Sequence, residues 1–294
     1  MTVTLGGTGI WNAGLRFGDE QPAIEAAQVV EELGYSALWL PDAGGDDLYP
    51  RLAALLGATN RITVATGILN LWMHEPALVA ERYAKLSAEH DHRWLLGIGV
   101  SHAPFIDQSG VGQYRKPLAK TRSYLDALDA ATPPVPADER VLAALGPGML
   151  GLSRDRAAGA HPYLVTVEHT RDARAALGPG KLLAPEVGVV LETDPAAARA
   201  IARSGLSLYF GLPNYVNNWR RYGFTDSDVT APGSDRLIDA LVAWGDEEAI
   251  AARVGAHRAA GADHVAVQVL TGDPAGAASF PVAQWRRLAP ALLG

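Results

Sequence analysis

The chain has 294 residues, 48% hydrophobic and 19% charged, with 32 acidic residues against 25 Lys and Arg for a net charge of −7. No basic block stands out, which argues against a nucleic-acid partner, and the lack of cysteine removes disulfides and thiolate metal sites. The N-terminal stretch has no basic region followed by a long apolar run, and no apolar run reaches membrane-spanning length, so a cytoplasmic protein with no membrane partner is expected.

Short β-rich runs alternate with Ala-rich helical patterns along the chain. The run 3–11, VTLGGTGIW, precedes a helical pattern over 21–34, which has Pro22 near its start and Gly34 just past its end. SALWLP (36–41) leads to a helix over 48–57, for which Asp46 or Asp47 is a natural cap. RITVATGIL (61–69) leads to a helix over 76–90 that opens on Pro76. RWLLGIGV (93–100) precedes 117–131, RVLAALG (140–146) precedes 147–158, and HPYLVT (161–166) precedes 168–177. LLAPEVGVVLE (182–192) precedes helical patterns over 194–210, 235–243 and 246–260, and HVAVQVL (264–270) precedes 283–292. Eight strands, each followed by a helix, indicate parallel βαβ units and one (β/α)8 barrel over residues 1–294. A doubly wound open sheet is the alternative. The stretch 211–234 is too long for a plain connection and reads as a functional loop or interface insertion.

In a barrel, chemistry sits at the C-terminal ends of the strands. That rule places Trp11 and Asn12 after the first strand, Asp42 after the second, and Asn70, Trp72 and His74 after the third. His102 follows the fourth, and His161, Tyr163 and Thr166 lie in and after the sixth. Amides, imidazoles and indoles at one rim suit a flat ring with polar edges. Gly97 and Gly99 allow close ligand approach beside Ser101, or simply tight strand packing. The GPGM turn, 146–149, offers N–H groups to a phosphate, although an ordinary βα turn reads the same way. The acids Asp42, Asp46 and Asp47 suggest acid–base work or, for the last two, helix capping. The HDH triplet, 90–92, has metal-pair spacing but precedes a strand, at the wrong end of the barrel, so no metal is expected.

Together the segments 32–42, 62–86, 95–102, 140–170 and 243–270 resemble the bacterial luciferase-like family of flavin and deazaflavin oxidoreductases. The likeness is greatest to the branch that uses coenzyme F420, an 8-hydroxy-5-deazaflavin, with FMN as the alternative cofactor. The resemblance implies a luciferase-like (β/α)8 TIM barrel with an insertion around 211–234. It implies a cis Gly67–Ile68 bond as a backstop behind the ring, with Asn70 at the ring's edge. Gly99, Val100 and Ser101 would approach the ribityl and phosphate part. Ala144, Leu145, Gly146 and Pro147 would line the same pocket, and Gly148 and Met149 would offer N–H groups to the phosphate. Trp11, Asp42, Trp72, His161 and Tyr163 fall to the substrate side.

Many relatives in the deazaflavin branch carry Asp-His after the second strand, whereas this chain reads Asp42-Ala43. His74 and His102 are the candidates to replace that imidazole; for His74, a structural bond to a backbone carbonyl is the competing role. The expected function is hydride transfer between the deazaflavin and a small organic substrate, in a homodimer. An FMN-dependent monooxygenase is the alternative in the same fold. A non-catalytic flavin-binding barrel and a metal-dependent barrel hydrolase are alternatives of other classes.

Overall fold

The computed structural model describes residues 5–45, 47–273 and 278–294. Eight parallel strand positions form a ring. They are Thr8–Trp11, Ala37–Leu40, Thr63–Thr66, Trp94–Gly99, Arg140–Leu142, Gly159–Ala160, the interrupted strand Leu182–Leu183 and Glu186–Val190, and Val265–Val269. Neighbours pair in order, with Ala37 opposite Thr63 and Val64 opposite Trp94. The seventh position closes the ring in two pieces. Leu182–Leu183 pairs with the sixth strand, and Glu186–Val190 pairs with the last, which returns to the first. Pro185 sits at the break, where its missing N–H removes nothing from the ladder. Two short strands are added: Leu69–Asn70 beside the fourth strand and Val242–Trp244 outside the seventh.

Alternation along the strands explains why both faces are apolar. Leu38, Leu40, Val64, Trp94, Leu96 and Ile98 belong to the large core cluster, with buried residues of the surrounding helices such as Ala23, Val79 and Leu125. Ala37, Trp39, Ala65, Leu95, Val141 and Ala266 form a second cluster from the opposite set of positions, the barrel interior. The alanines leave room there for the fully buried Trp39. The helices lie near their predicted limits, as in Glu20–Glu32, Pro76–Glu89 and Glu247–Ala259.

Four local expectations are corrected. The sixth strand is Gly159–Ala160, and residues 161–166 form the loop after it. Pro162 has no N–H for a ladder, and Leu164 takes a φ of 52° while donating its N–H to Glu186. The helix predicted to 243 ends at Leu241, and the chain continues as Val242–Trp244. The predicted loop 211–234 contains the helices Pro213–Arg221 and Asp226–Val229. The first of these buries Trp219 and Tyr215 in an apolar cluster of its own. Finally, Asp47 occupies the cap position of helix Leu48–Ala58 without capping it, because both its carboxylate oxygens accept from Arg16, at 2.7 and 2.8 Å. Asp46, the other cap candidate, lies outside the described residues.

Candidate active site

A cavity of about 1160 Å³ opens at the C-terminal ends of the strands. Of the predicted site residues, Trp11, Asp42, Gly67, Ile68, Asn70, Val100, Ser101, His102, Ala144, Leu145, Gly146, Met149, His161 and Tyr163 line it. His74, Trp72, Gly99, Pro147 and Gly148 do not. That volume accommodates a tricyclic ring together with a small substrate.

The floor is the end of the third strand. The Gly67–Ile68 bond is cis, as the family resemblance implies. The Gly67 carbonyl accepts from the Trp11 indole at 3.1 Å. A Cβ on Gly67 would stand 2.8 Å from Trp11 Nε1 and 3.0 Å from His161 Nε2, so only glycine keeps this niche open. Gly99 lies behind Ile68: a Cβ there would come within 2.6 Å of the Ile68 side chain. Its role is packing behind the floor rather than lining it.

The wall beside the floor holds a buried charge network. Asp42 accepts from the Gly44 N–H at 2.9 Å and from the Asn70 N–H at 3.3 Å, and Arg16 stands 3.7 Å away. His74 Nε2 meets the same carboxylate at 2.8 Å, and its Nδ1 lies 3.0 Å from the Tyr49 hydroxyl. The Tyr124 hydroxyl bonds the His74 carbonyl at 2.9 Å. Both imidazole nitrogens are therefore taken by side chains, rather than by the backbone carbonyl expected for a structural role. Trp72 is committed as well: its indole donates to the Val100 carbonyl at 2.9 Å, and Lys120 covers its ring at 5.2 Å. Thr166 caps helix Val167–Leu177 by accepting from the His169 N–H.

The opposite wall comes from residues far along the chain. Asn214 reaches from helix Pro213–Arg221 to the Ser101 carbonyl, His102 Nδ1 and the Tyr114 hydroxyl, each at 3.3 Å. Its amide N–H donating to Nδ1 makes that nitrogen the acceptor and leaves the proton of His102 on Nε2. Burial pushes the His102 pKa down to about 4, so the ring is neutral near pH 7. Tyr163 donates to Gln268 at 2.7 Å and lies 3.0 Å from the Tyr209 hydroxyl. Burial holds the pKa of Tyr163 well above the usual phenol range. Asn214, Tyr215, Asn218, Arg221 and Gln268 all line the cavity, and none was singled out from sequence. The aromatic-rich stretch 211–222 was the signal for the first four, and Gln268 lies in the last strand.

Two further features frame the mouth. Helix Pro147–Arg156 starts there, but the Met149 N–H turns back to the Gly146 carbonyl at 3.1 Å. That leaves Gly148 with the open donor of the first turn. The exposed Arg221 guanidinium lies beside this turn, 3.5 Å from the Leu145 carbonyl. The large apolar side chains Phe17, Phe105 and Leu208 are exposed, and all three lie on the cavity lining. The HDH triplet sits at the other end of the barrel, where His92 pairs with Glu139 at 3.3 Å. Among the described residues, no three or more His, Cys, Asp or Glu side chains gather as a metal site.

A parallel α/β barrel with its cavity at the C-terminal strand ends carries its chemistry at that rim. The family model described as luciferase-like monooxygenase matches residues 16–264, and the chain belongs to that family. A Mycobacterium tuberculosis protein provisionally named a coenzyme F420-dependent oxidoreductase is 32% identical over 122 residues, 40% of this chain and 33% of that protein. The alignment thus spans about a third of that relative's length. Among solved structures, an F420-dependent secondary alcohol dehydrogenase in complex with an F420-acetone adduct superimposes with a TM-score of 0.73 at 15% identity, covering 99% of this chain and 100% of that one. The oxygenating constituent of 3,6-diketocamphane monooxygenase from a Pseudomonas putida plasmid, in complex with FMN, superimposes with a TM-score of 0.65 at 15% identity, covering 99% of each chain. At that identity the structural likenesses establish the fold. No helix among the described residues is long and apolar enough to cross a membrane.

Proposed function

We propose that the protein transfers a hydride between coenzyme F420 and a small organic substrate. The observation that carries this reading is the floor of the cavity. Gly67 leaves a niche there between Trp11 and His161 that a single methyl group would fill. Such a floor fits a flat ring pressed against backbone. The choice of deazaflavin over FMN rests on the name of the Mycobacterium tuberculosis relative and on the resemblance of 62–102 and 140–170.

When bound, the deazaflavin supplies a ring carbon that gives or takes the hydride. Gly67 and Ile68 would support the ring from behind, and Val100, Ser101, Ala144 and Leu145 would flank its chain. Arg221 and the N-terminus of helix Pro147–Arg156 would receive the phosphate, a cation and an open N–H at one place. Phe17, Phe105 and Leu208 favour an apolar substrate and exclude water once it is seated. His102 would donate a hydrogen bond from Nε2 to the substrate oxygen and so orient and polarise it, because its neutral ring lines the cavity with a protonated Nε2. His74 would act as a positioning residue that fixes Asp42. A homodimer is the expected assembly, by resemblance.

Calorimetric titration with both cofactors tests the reading. Coenzyme F420 is expected to bind in the micromolar range, about −8 kcal/mol, and FMN more weakly. Tighter binding of FMN would move the protein to the monooxygenase reading.

A further inference from the structure

We propose that His161 Nε2 is a permanent hydrogen-bond acceptor for an N–H or O–H group of the bound ligand, which deepens the cofactor reading above and rests on it. His161 is 1% exposed and lines the cavity. Its Nδ1 lies 2.7 Å from the Ala184 carbonyl oxygen. A carbonyl accepts only, so Nδ1 carries the proton and Nε2 presents a lone pair. That Nε2 is buried and has no hydrogen-bond partner among the described residues. It faces the niche at Gly67, since a Cβ there would lie 3.0 Å away. The ring has little freedom to turn elsewhere: it stacks on Trp39 with centroids 4.1 Å apart and planes 10° apart. Trp39 is held in turn by its indole bond to His264 Nε2 at 3.0 Å.

An unpaired acceptor at the bottom of a ligand cavity costs free energy until a donor arrives. The geometry selects the donor's class. A carbonyl or carboxylate oxygen would set lone pair against lone pair, whereas an N–H or O–H completes the bond. Two groups supply that chemistry: the imide N–H on the pyrimidinedione edge that deazaflavin and flavin share, and the hydroxyl of an alcohol substrate. His161 differs in this respect from His102, whose Nε2 is the protonated atom. The pair offers one acceptor and one donor to the same cavity.

The test uses full-length protein with 15N-labelled histidine. NMR on the unliganded protein is expected to find His161 protonated at Nδ1 only. With the imide as donor, coenzyme F420 shifts the Nε2 resonance in the hydrogen-bonded direction. His161→Phe then weakens F420 and FMN binding alike, about tenfold, and His161→Gln, which keeps an acceptor, recovers part of the loss. With a substrate hydroxyl as donor, His161→Phe leaves both cofactor affinities unchanged, and Nε2 shifts only when propan-2-ol joins the F420 complex. A protonated Nε2 in the resting protein overturns the proposal. So does a Nε2 resonance that ignores F420, FMN and propan-2-ol while the cofactor binds. If neither cofactor binds the wild type, the cofactor reading falls and this inference with it; cofactor binding with an Nε2 that stays silent to propan-2-ol as well overturns this inference alone. The NMR arm uses wild-type protein, so it stands even if His161→Phe does not fold.

Discussion

The two walls of the cavity solve opposite problems. The wall at the ends of the second and third strands holds ionic groups that are committed to protein partners: Arg16 to Asp47 and Asp42, and Asp42 to His74 and two backbone N–H groups. The wall built with helix Pro213–Arg221 carries neutral phenols, amides and a neutral imidazole, with Arg221 as a cation beside the mouth. The contrast teaches that a polar residue at a strand end is not thereby available to a ligand. A buried ion needs partners, and satisfying them consumes its hydrogen-bonding capacity. The groups left for a ligand are those whose burial keeps them uncharged.

The sharpest way to break this contrast is to empty the charged wall. Asp42→Ala removes one of the two carboxylates facing the buried Arg16, which keeps Asp47, and leaves His74 Nε2 and two backbone N–H groups without their acceptor. A loss of about 3–5 kcal/mol in urea unfolding is expected. A loss below 1 kcal/mol would mean that the network is not a structural unit.

The next test uses pH to read buried groups outside the charged wall. Burial drives the Glu186 pKa up to about 8, from an ordinary 4.5. Its contribution to stability is whole below pH 4.5 and is lost as pH rises through 8. Glu186→Gln should therefore stabilise the protein at pH 8 by about 1–3 kcal/mol and do little at pH 4.5. His102, His161, His257 and His264 are held down to about 4 from 6.5, with burial as the main cause. Their contribution is present above 6.5 and is lost as pH falls through 4. Denaturant titrations across pH 4–9 check both limbs. A stability profile that stays flat below pH 6.5 would show that the histidines are not neutral in the fold.

A smaller effect tests the phosphate end. Arg221 is exposed, and among the described residues it bonds Leu145 and Asn218. Arg221→Ala should leave unfolding unchanged within about 0.5 kcal/mol. It should weaken F420 binding about tenfold at low salt, with the difference shrinking as salt is raised. Unchanged affinity at low salt would move the phosphate away from this turn.

The smallest expected effect is at His74. If it positions Asp42, His74→Asn lowers Tm by several degrees and leaves cofactor affinity intact, with a modest change in turnover. A drop of about 10²- to 10⁴-fold in turnover at unchanged Tm would return it to acid–base catalysis.

Much of the frame was determined by the sequence alone. Alternating β-rich and Ala-rich segments indicate parallel βαβ units, because strands buried on both faces read as continuous apolar runs while their covering helices read with a period of 3.6; closure into a ring was left to the fold. The same order places Gly67, Ser101 and His102 at one rim, since strand ends are positions in sequence as well as in space. Tertiary structure decided what each rim group is free to do. His74 and His102 look alike as residues following strands. Only packing reveals that Tyr49 and Asp42 claim both nitrogens of the first, while Asn214, 112 positions away from the second, claims one nitrogen and leaves the other to the cavity. Strand assignment around Pro162 and the helix within 211–234 were likewise hidden. A two-residue strand carries no periodicity, and Trp219 needs a partner surface before its burial favours a helix. Hydrogen-bond capacity is finite and is allotted among neighbours that sequence distance does not bring together, so a side chain's availability is a property of the fold.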